Sequence, residues 1–179
     1  NVTLFCSQGI GALKGTLNAR ALYNAKDAEM IQNGEQMPFK TRAFNLTAGL
    51  TTSLIPTVDV DYHLTWMRNT MKMQRLGSSS TINSWKHEAK VHIPIVKLLS
   101  LETLAEYYHN QLSANRFKDI FFADASLKLQ LRRFDITLAL NNLLNRKTYA
   151  YALNSDLMRS TSSLLISGRE LMINIYYKL

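Results

Sequence analysis

The sequence predicts an all-β protein, a segment of an antiparallel transmembrane β-barrel with about nine long strands. Three observations predict this fold class. Apolar and polar residues alternate along most of the chain, as they do in strands with one apolar face. The connections leave strands longer than the ~10 residues that a tilted strand needs to cross a bilayer. Aromatic residues also gather near both ends of the predicted strands.

The first half of the chain predicts four of these strands. The opening residues through Ser7 form one. Two weaker alternating segments follow it, carrying Leu13, Leu17, Ala19, Ala21 and Tyr23, and then Phe44, Leu46, Ala48 and Leu50. From Val58 the alternation is strong, with Val58, Val60, Tyr62, Leu64 and Trp66 opposite Asp59, Asp61, His63 and Thr65. Such a segment is typical of a strand with one apolar and one wet face.

The second half continues the same period-2 pattern and predicts five strands. Its apolar sets are Trp85, Ala89, Val91 and Ile93 (with His87 as a polar member), then Leu99, Leu101, Thr103, Ala105 and Tyr107, then Phe121, Ala123, Ala125, Leu127, Leu129 and Leu131, then Phe134, Ile136, Leu138 and Leu140. We expect residues Met158 to Leu179 to form one long terminal strand.

The connections predict two different ends of the barrel. Short turns are expected on the periplasmic side, around Gly9–Gly11, Leu54–Thr57, Ile93–Ile95 and Arg132–Arg133. Long polar loops are expected on the extracellular side, around Ile31–Gly34, Arg75–Ser80, Asn110–Arg116 and Asn154–Arg159. Short turns on one side and long loops on the other are typical of outer-membrane barrels.

Aromatic residues suggest two interfacial girdles. Phe134 and Tyr177 lie near the short-turn ends of their strands. The residues expected near the long-loop ends are Trp66, Trp85, Tyr107, Tyr108, Phe121, Phe122, Tyr149 and Tyr151.

Composition excludes several other classes of protein. The 179 residues carry a formal net charge of +8, but the basic residues are scattered and no run of five occurs, so we expect no nucleic-acid partner. No stretch approaches the ~20 apolar residues of a spanning helix. Cys6 stands alone, the four histidines lack metal-ligand spacing, and no catalytic constellation is visible. The sequence therefore predicts no enzyme, no metal site and no cofactor.

Two motifs near the end of the chain resemble a known family. Residues 138–149, Leu-Ala-Leu-Asn-Asn-Leu-Leu-Asn-Arg-Lys-Thr-Tyr, resemble the penultimate strand of TonB-dependent outer-membrane receptors. Residues 168–179, Gly-Arg-Glu-Leu-Met-Ile-Asn-Ile-Tyr-Tyr-Lys-Leu, resemble their last strand, in particular that of the SusC-like barrels of Bacteroidota. The family commonly ends in Phe, whereas Leu179 stands here.

The resemblance implies a function and a set of partners. It implies that residues 1–179 are the C-terminal part of a plugged barrel in the bacterial outer membrane, without the plug domain. The parent protein is then expected to import a bulky nutrient (a glycan, peptide or chelate), driven by the TonB complex. Expected partners are membrane lipid and lipopolysaccharide, the rest of the barrel and its plug, and a SusD-like surface lipoprotein.

Two sets of residues are candidates for functional roles. Arg116, Lys118, Tyr149 and Tyr151 lie in or beside the expected outer loops and are candidate substrate contacts. The resemblance implies that the barrel-assembly machinery reads an apolar signal in the terminal strand, formed by Leu171, Ile173, Ile175, Tyr177 and Leu179.

Two other functions remain open at this point. The chain could be a structural barrel subunit, or scaffold, of an outer-membrane assembly or secretion complex. A plug and a TonB-contacting segment upstream would favour the transporter over the scaffold. The chain could also be a soluble β-rich binding protein, which detergent-free solubility would support. The chain starts at Asn1 without Met, and a fragment, a split gene or a partial chain would each explain this.

Overall fold

The computed structural model describes residues 1–32, 34–55, 57–73, 75, 77–154 and 159–178. These residues form eleven antiparallel strands and one short 3-10 turn, Gly11–Leu13. The strands are β1 Val2–Ile10, β2 Gly15–Gln32, β3 Glu35–Ile55, β4 Val58–Met73, β5 Ser78–Val96, β6 Leu99–Ser113, β7 Arg116–Gln130, β8 Phe134–Asn141, β9 Thr148–Asn154, β10 Arg159–Leu165 and β11 Glu170–Tyr177. The predicted all-β class is confirmed.

Nine of the strands form one sheet, in the order β1-β2-β3-β4-β5-β6-β7-β8-β11. Each strand from β1 to β7 pairs with the next one in sequence, as in a meander, and β11 then pairs with β8. Strands β9 and β10 pair only with each other, in a separate hairpin. Among the described residues, β1 and β11 are the two edges of the large sheet.

The register carries the predicted alternation across the whole sheet, because paired residues point to the same face. One row runs through Leu50, Tyr62, Ala89, Ala105 and Ala123. A second row runs through Ile93, Leu101, Leu127, Leu138 and Ile173. We call this side of the sheet the apolar face.

The opposite side is the polar face. One of its rows joins Asp59, His92, Glu102 and Ser126. The buried apolar side chains of this face lie at the end where β4–β5 and β6–β7 turn, which we call the outer end; they include Phe39, Met71, Ile82 and Ile120. The other end carries the β5–β6 and β7–β8 turns.

The apolar face has no second layer among the described residues. Its large side chains are therefore widely exposed: Leu4 by 67%, Ile173 by 64% and Ile175 by 66%. Cross-strand contacts within the sheet supply the packing, for example the stacked rings of Trp66 and Trp85, whose centroids are 5.4 Å apart.

The expectation of long outer loops was wrong for three of the four connections. Residues 33–34 and 114–115 each connect two strands, and residues 74–77 connect β4 to β5. The reason is that β2, β3 and β4 stay paired beyond the apolar rows. There the apolar face turns polar, and Asp27 forms ion pairs with Lys40 and Arg42. At this end the polar side chains lie on the face that is apolar elsewhere, while Phe39 and Met71 are buried on the other face, so the polar stretch forms strand.

The expected short turn at Ile93–Ile95 was also wrong. Strand β5 continues to Val96 through an irregularity between Pro94 and Val96, and the turn is at residues 97–98. Pro94 lacks a backbone N–H, and a bulge is one of the few places where a strand accepts it.

The single terminal strand expected over Met158 to Leu179 was wrong as well. Its first part, β10, leaves the large sheet to pair with β9, and only β11 returns beside β8. Met158 and Leu179 lie outside the described residues. The break falls at residues 166–169, where the Arg169 side chain donates two hydrogen bonds to the Leu143 carbonyl oxygen, at 3.1 and 2.6 Å.

No helix in the described part of the chain is long and apolar enough to span a membrane.

Candidate functional site

Charged side chains of opposite sign cross the polar face on β5, β6 and β7. The Lys86 ammonium lies 2.6 Å from a Glu88 carboxylate oxygen and 2.8 Å from one of Glu106. Further along the same face, Lys128 Nζ lies 3.3 Å from a Glu102 oxygen. Since these groups alternate in sign, the polar face offers both donors and acceptors to a solute.

A groove of about 470 Å³ follows this ladder of charges. Carboxylates, ammonium groups and small polar side chains line it, with Glu88, Lys90, Glu102, Asp124, Lys128 and Asn141 among them. A second recess of about 490 Å³ also includes Asp124 and Asn141, and extends to Glu106, Phe122 and Gly168. Together they make a wet surface suited to binding polar solutes through many hydrogen bonds.

The β9–β10 hairpin lies over the outer end of this face. Tyr149 anchors it: its ring centroid is 5.3 Å from that of Tyr108, 6.5 Å from Phe122 and 5.6 Å from Tyr151. The Asn110 amide nitrogen donates to the Ala150 carbonyl oxygen at 3.1 Å and approaches the Tyr149 hydroxyl at 3.4 Å. The hairpin is therefore attached to the sheet by both apolar and polar contacts.

A compact turn after β8 directs the chain into this hairpin. Asn142 and Asn145 adopt left-handed backbone conformations, with φ of 51° and 53°, which asparagine tolerates better than most residues. The Asn142 side chain accepts from the Arg146 N–H at 2.8 Å and donates to the Arg146 carbonyl oxygen at 2.6 Å. Its backbone N–H donates to an Asp124 carboxylate oxygen at 2.7 Å, which fixes the turn against β7.

Beside this turn, β7 extends further towards the outer end of the sheet than β8 does. Strand β8 pairs with β7 only from Ala125 onward, so residues 116–124 of β7 have no neighbouring strand on that side. We call this stretch the upper edge of β7. The turn covers the part of this edge nearest to β8, where the Leu143 N–H donates to the Ala123 carbonyl oxygen at 2.8 Å. Closer to the outer end there is a recess of about 210 Å³, lined by Lys118, Arg146 and Lys147.

The four candidate substrate contacts fall into three places. Tyr149 and Tyr151 lie together in the hairpin, and Tyr149 contacts Tyr108 on the polar face. Lys118 lines the recess at the upper edge of β7. Arg116 is exposed at the start of β7, paired with Ser113, and does not line that recess.

The terminal-strand residues keep the predicted alternation. Leu171, Ile173, Ile175 and Tyr177 pair with Leu140, Leu138, Ile136 and Phe134, and so lie on the apolar face. Leu179 lies outside the described residues.

The outer aromatic set is divided between the two faces. Trp66, Trp85, Tyr107 and Phe121 belong to the apolar face, whereas Tyr108 and Phe122 lie on the polar face beneath Tyr149. Only the first group can contribute to a girdle on the apolar side.

Sequence reasoning missed Asn110, Asn142, Arg146 and Lys147 as members of this region. The Asn-Asn-Leu-Leu-Asn run was read as part of a strand motif, although asparagine-rich stretches are also turn signals. Nothing local in the sequence marks Asn110, because its partners lie 39 and 40 residues away.

Comparisons with protein-family models, with curated proteins and with solved structures gave no match.

Proposed function

We propose that the chain is the C-terminal part of the barrel of a TonB-dependent outer-membrane transporter that imports a bulky nutrient. In this proposal the apolar face contacts lipid and the polar face lines the lumen. The rest of the barrel and a plug would continue from the edges of the sheet, and TonB would act through the parent protein.

The observation that carries the proposal is the continuous apolar face. Large hydrophobic side chains of this face are exposed on β1, β2, β7, β8 and β11, while the ion pairs of Lys86 and Lys128 lie on the opposite face. A water-soluble protein rarely exposes contiguous apolar surface on this scale. A lipid-facing wall requires it.

The height of the apolar face also suits a bilayer. On β6 the apolar set from Leu99 to Tyr107 spans eight residue steps, about 27 Å along the strand. A strand tilt of about 40° reduces this to roughly 20 Å, and the flanking aromatic rows extend it towards the ~25 Å band of outer-membrane barrels. Phe134 and Tyr177 flank it at one end, and Trp66 and Trp85 at the other.

The polar face suits a path for a large polar solute. Its groove presents carboxylates and ammonium groups, and the β9–β10 hairpin presents Tyr149 and Tyr151 at its outer end. A glycan or peptide is bound by this mixture of aromatic surface and hydrogen-bonding groups. A SusD-like lipoprotein would meet the parent protein at the outer end.

The test is to locate the natural protein and its energy-coupling partner. Cells are fractionated, the protein is detected with an antiserum against this chain, and outer-membrane samples are run on gels with and without boiling. We expect an outer-membrane protein that migrates faster before boiling and that cross-links to TonB. An outer-membrane protein with no TonB cross-link would support the scaffold instead. A protein soluble without detergent would overturn both.

A further inference from the structure

We propose that the recess at the upper edge of β7 is a binding site for a phosphate group, held by Lys118, Arg146 and Lys147. The three cationic side chains line a single recess of about 210 Å³, together with Asp119, Ile120, Asn145 and Thr148. The site does not depend on the transport proposal, because it rests only on the turn after β8 and its neighbour β7.

The first argument is the charge of the recess. Within the described residues, none of the three cations lies within 4.0 Å of a carboxylate oxygen, whereas Lys86 and Lys128 on the polar face are paired. The one acidic residue of the lining, Asp119, is engaged elsewhere: its carboxylate lies 2.5 Å from His109 Nδ1 and accepts from the Tyr107 hydroxyl at 3.0 Å. The recess therefore carries a net positive charge, with three cations against the one carboxylate of Asp119.

The second argument is that Arg146 and the backbone of Lys147 are held in place. Arg146 is hydrogen-bonded through both its backbone N–H and its carbonyl oxygen to the Asn142 side chain. Its Nε donates to the Phe121 carbonyl oxygen at 3.4 Å, which orients the guanidinium, and no hydrogen bond within the described residues engages its terminal nitrogens. The Lys147 carbonyl oxygen accepts from the Ile166 N–H at 3.0 Å. A site that is ordered in advance loses less entropy when it binds.

The third argument is the supply of backbone donors. Arg146 and Leu143 donate to the carbonyl groups of Phe121 and Ala123. These carbonyl groups therefore point to the side of β7 that has no neighbouring strand. In an antiparallel strand the N–H and C=O groups of one residue point to the same side, and alternate residues share that side. The N–H group of Asp119, a residue of the recess lining, therefore faces the same edge. Arginine and backbone N–H groups together are the usual donors to phosphate.

The phosphate could belong to a lipid headgroup, such as that of lipopolysaccharide, or to a soluble phosphorylated solute. Both place a multiply charged oxyanion in the recess, and the structure favours that shared chemistry. The two sources differ in whether the ligand is extracted with the protein from its membrane.

The experiment measures binding of inorganic pyrophosphate to the full-length protein purified in detergent, by calorimetry. The variants are Arg146→Gln with Lys147→Gln, and Lys118→Gln alone. Lys97→Gln is the matched control, since Lys97 is an exposed cation in the β5–β6 turn at the opposite end of the sheet. Circular dichroism verifies that each variant is folded. If the double variant does not fold, Arg146→Lys, which keeps the charge, replaces it.

We expect the double variant to bind pyrophosphate at least about tenfold more weakly, because it removes two charge-assisted contacts. Lys118→Gln should weaken binding to a smaller degree, Arg146→Lys should weaken it by loss of the planar fork, and Lys97→Gln should bind like the unmodified protein. Absence of binding by the unmodified protein, or equal binding by the double variant and the control, would overturn the proposal.

A second measurement separates the two sources. The phosphorus content of protein extracted from lipopolysaccharide-containing membranes is compared between the unmodified protein and the double variant. A lower content in the double variant would support a lipid headgroup as the ligand. An equal content, together with weakened pyrophosphate binding, would support a soluble phosphorylated solute.

Discussion

His87 lies on the apolar face, and its neighbours explain how a polar ring is accommodated there. The Tyr62 hydroxyl lies 2.7 Å from His87 Nδ1, and the Tyr107 ring lies beside it with centroids 5.8 Å apart. The pair faces the same side as Leu64, so on a lipid-facing wall each polar atom would need a partner within the protein. The Tyr62 hydroxyl thus satisfies Nδ1 of the ring.

We predict that Tyr62→Phe lowers the free energy of unfolding by about 1 kcal/mol, the cost of leaving one half-buried polar group without its partner. The measurement is urea unfolding of the protein in lipid vesicles. Tyr177→Phe, at the far edge of the same face, is the control and should change stability far less. Equal losses in the two variants would contradict the role assigned to the hydroxyl.

Glycine has a steric role at the start of β2. A Cβ atom on Gly15 would overlap the Thr51 carbonyl oxygen and lie 2.9 Å from the Thr52 Cβ atom, in backbone that cannot easily move. Thr52 is itself buried, and its hydroxyl donates to the Leu13 carbonyl oxygen. The β1–β2 turn is therefore packed tightly against β3.

We predict that Gly15→Ala destabilises the protein by about 1–3 kcal/mol through overpacking. Gly9→Ala in the same β1–β2 hairpin is the matched control, because a Cβ atom there meets nothing within 4 Å. The temperature at which the fast-migrating gel form is lost reports the difference. If both variants lose it at the same temperature, the steric explanation fails.

At the scale of elements, the β9–β10 hairpin lies outside the large sheet and is attached to it by a few contacts. Tyr149 packs against Tyr108 and Phe122, and Asn110 donates to the hairpin backbone. The alternation within 159–177 predicts strand correctly, but it cannot say which strand is the partner. That choice is made by residues 142–147 and by Arg169, which redirect the chain.

We predict that Tyr149→Ala raises the rate of proteolysis within residues 148–165 about tenfold, since a loss near 1.4 kcal/mol increases the open population by that factor. Tyr176→Ala is the control, because Tyr176 is 68% exposed on β11 and far from the hairpin. The rate is read by mass spectrometry of fragments under brief protease treatment. An unchanged rate would show that the ring contacts do not hold the hairpin.

At the scale of the whole molecule, one face of the sheet suits an apolar medium and the other suits water. Neighbouring residues of β7 test this directly: Leu127 belongs to the apolar face, and Ser126 to the polar face opposite Glu102. The two positions share a strand and a depth in the sheet. A difference between them therefore reports the face and not the strand.

We predict that Leu127→Arg lowers stability by about 2–4 kcal/mol, the cost of an arginine near the bilayer midplane on a lipid-facing wall. Ser126→Arg should be tolerated within about 1 kcal/mol, because it joins a wet face beside Glu102. Unfolding in vesicles and the amount of assembled protein in the outer membrane measure both. Equal tolerance of the two substitutions would count against a membrane-spanning wall.

The sequence by itself determined the all-β class, the antiparallel meander and the membership of the two faces. These follow from a period of two and from short connections, which are local properties of the chain. They were strong enough to place residues such as Leu127 and Ile173 correctly. The lengths of β2 and β3 were underestimated, because near the outer end polar residues such as Asp27 and Lys40 occupy the otherwise apolar face, and a sequence without the usual alternation looks like loop.

Only the tertiary structure decided where the chain after Asn141 goes. The fold of β9 and β10 over the polar face, the upper edge of β7 and the recess of Lys118, Arg146 and Lys147 all arise from contacts between residues distant in sequence. Asn110, for example, meets Ala150 across 40 positions. A repeating pattern specifies which face a side chain occupies, whereas the partner of a strand depends on the competing contacts of the whole chain.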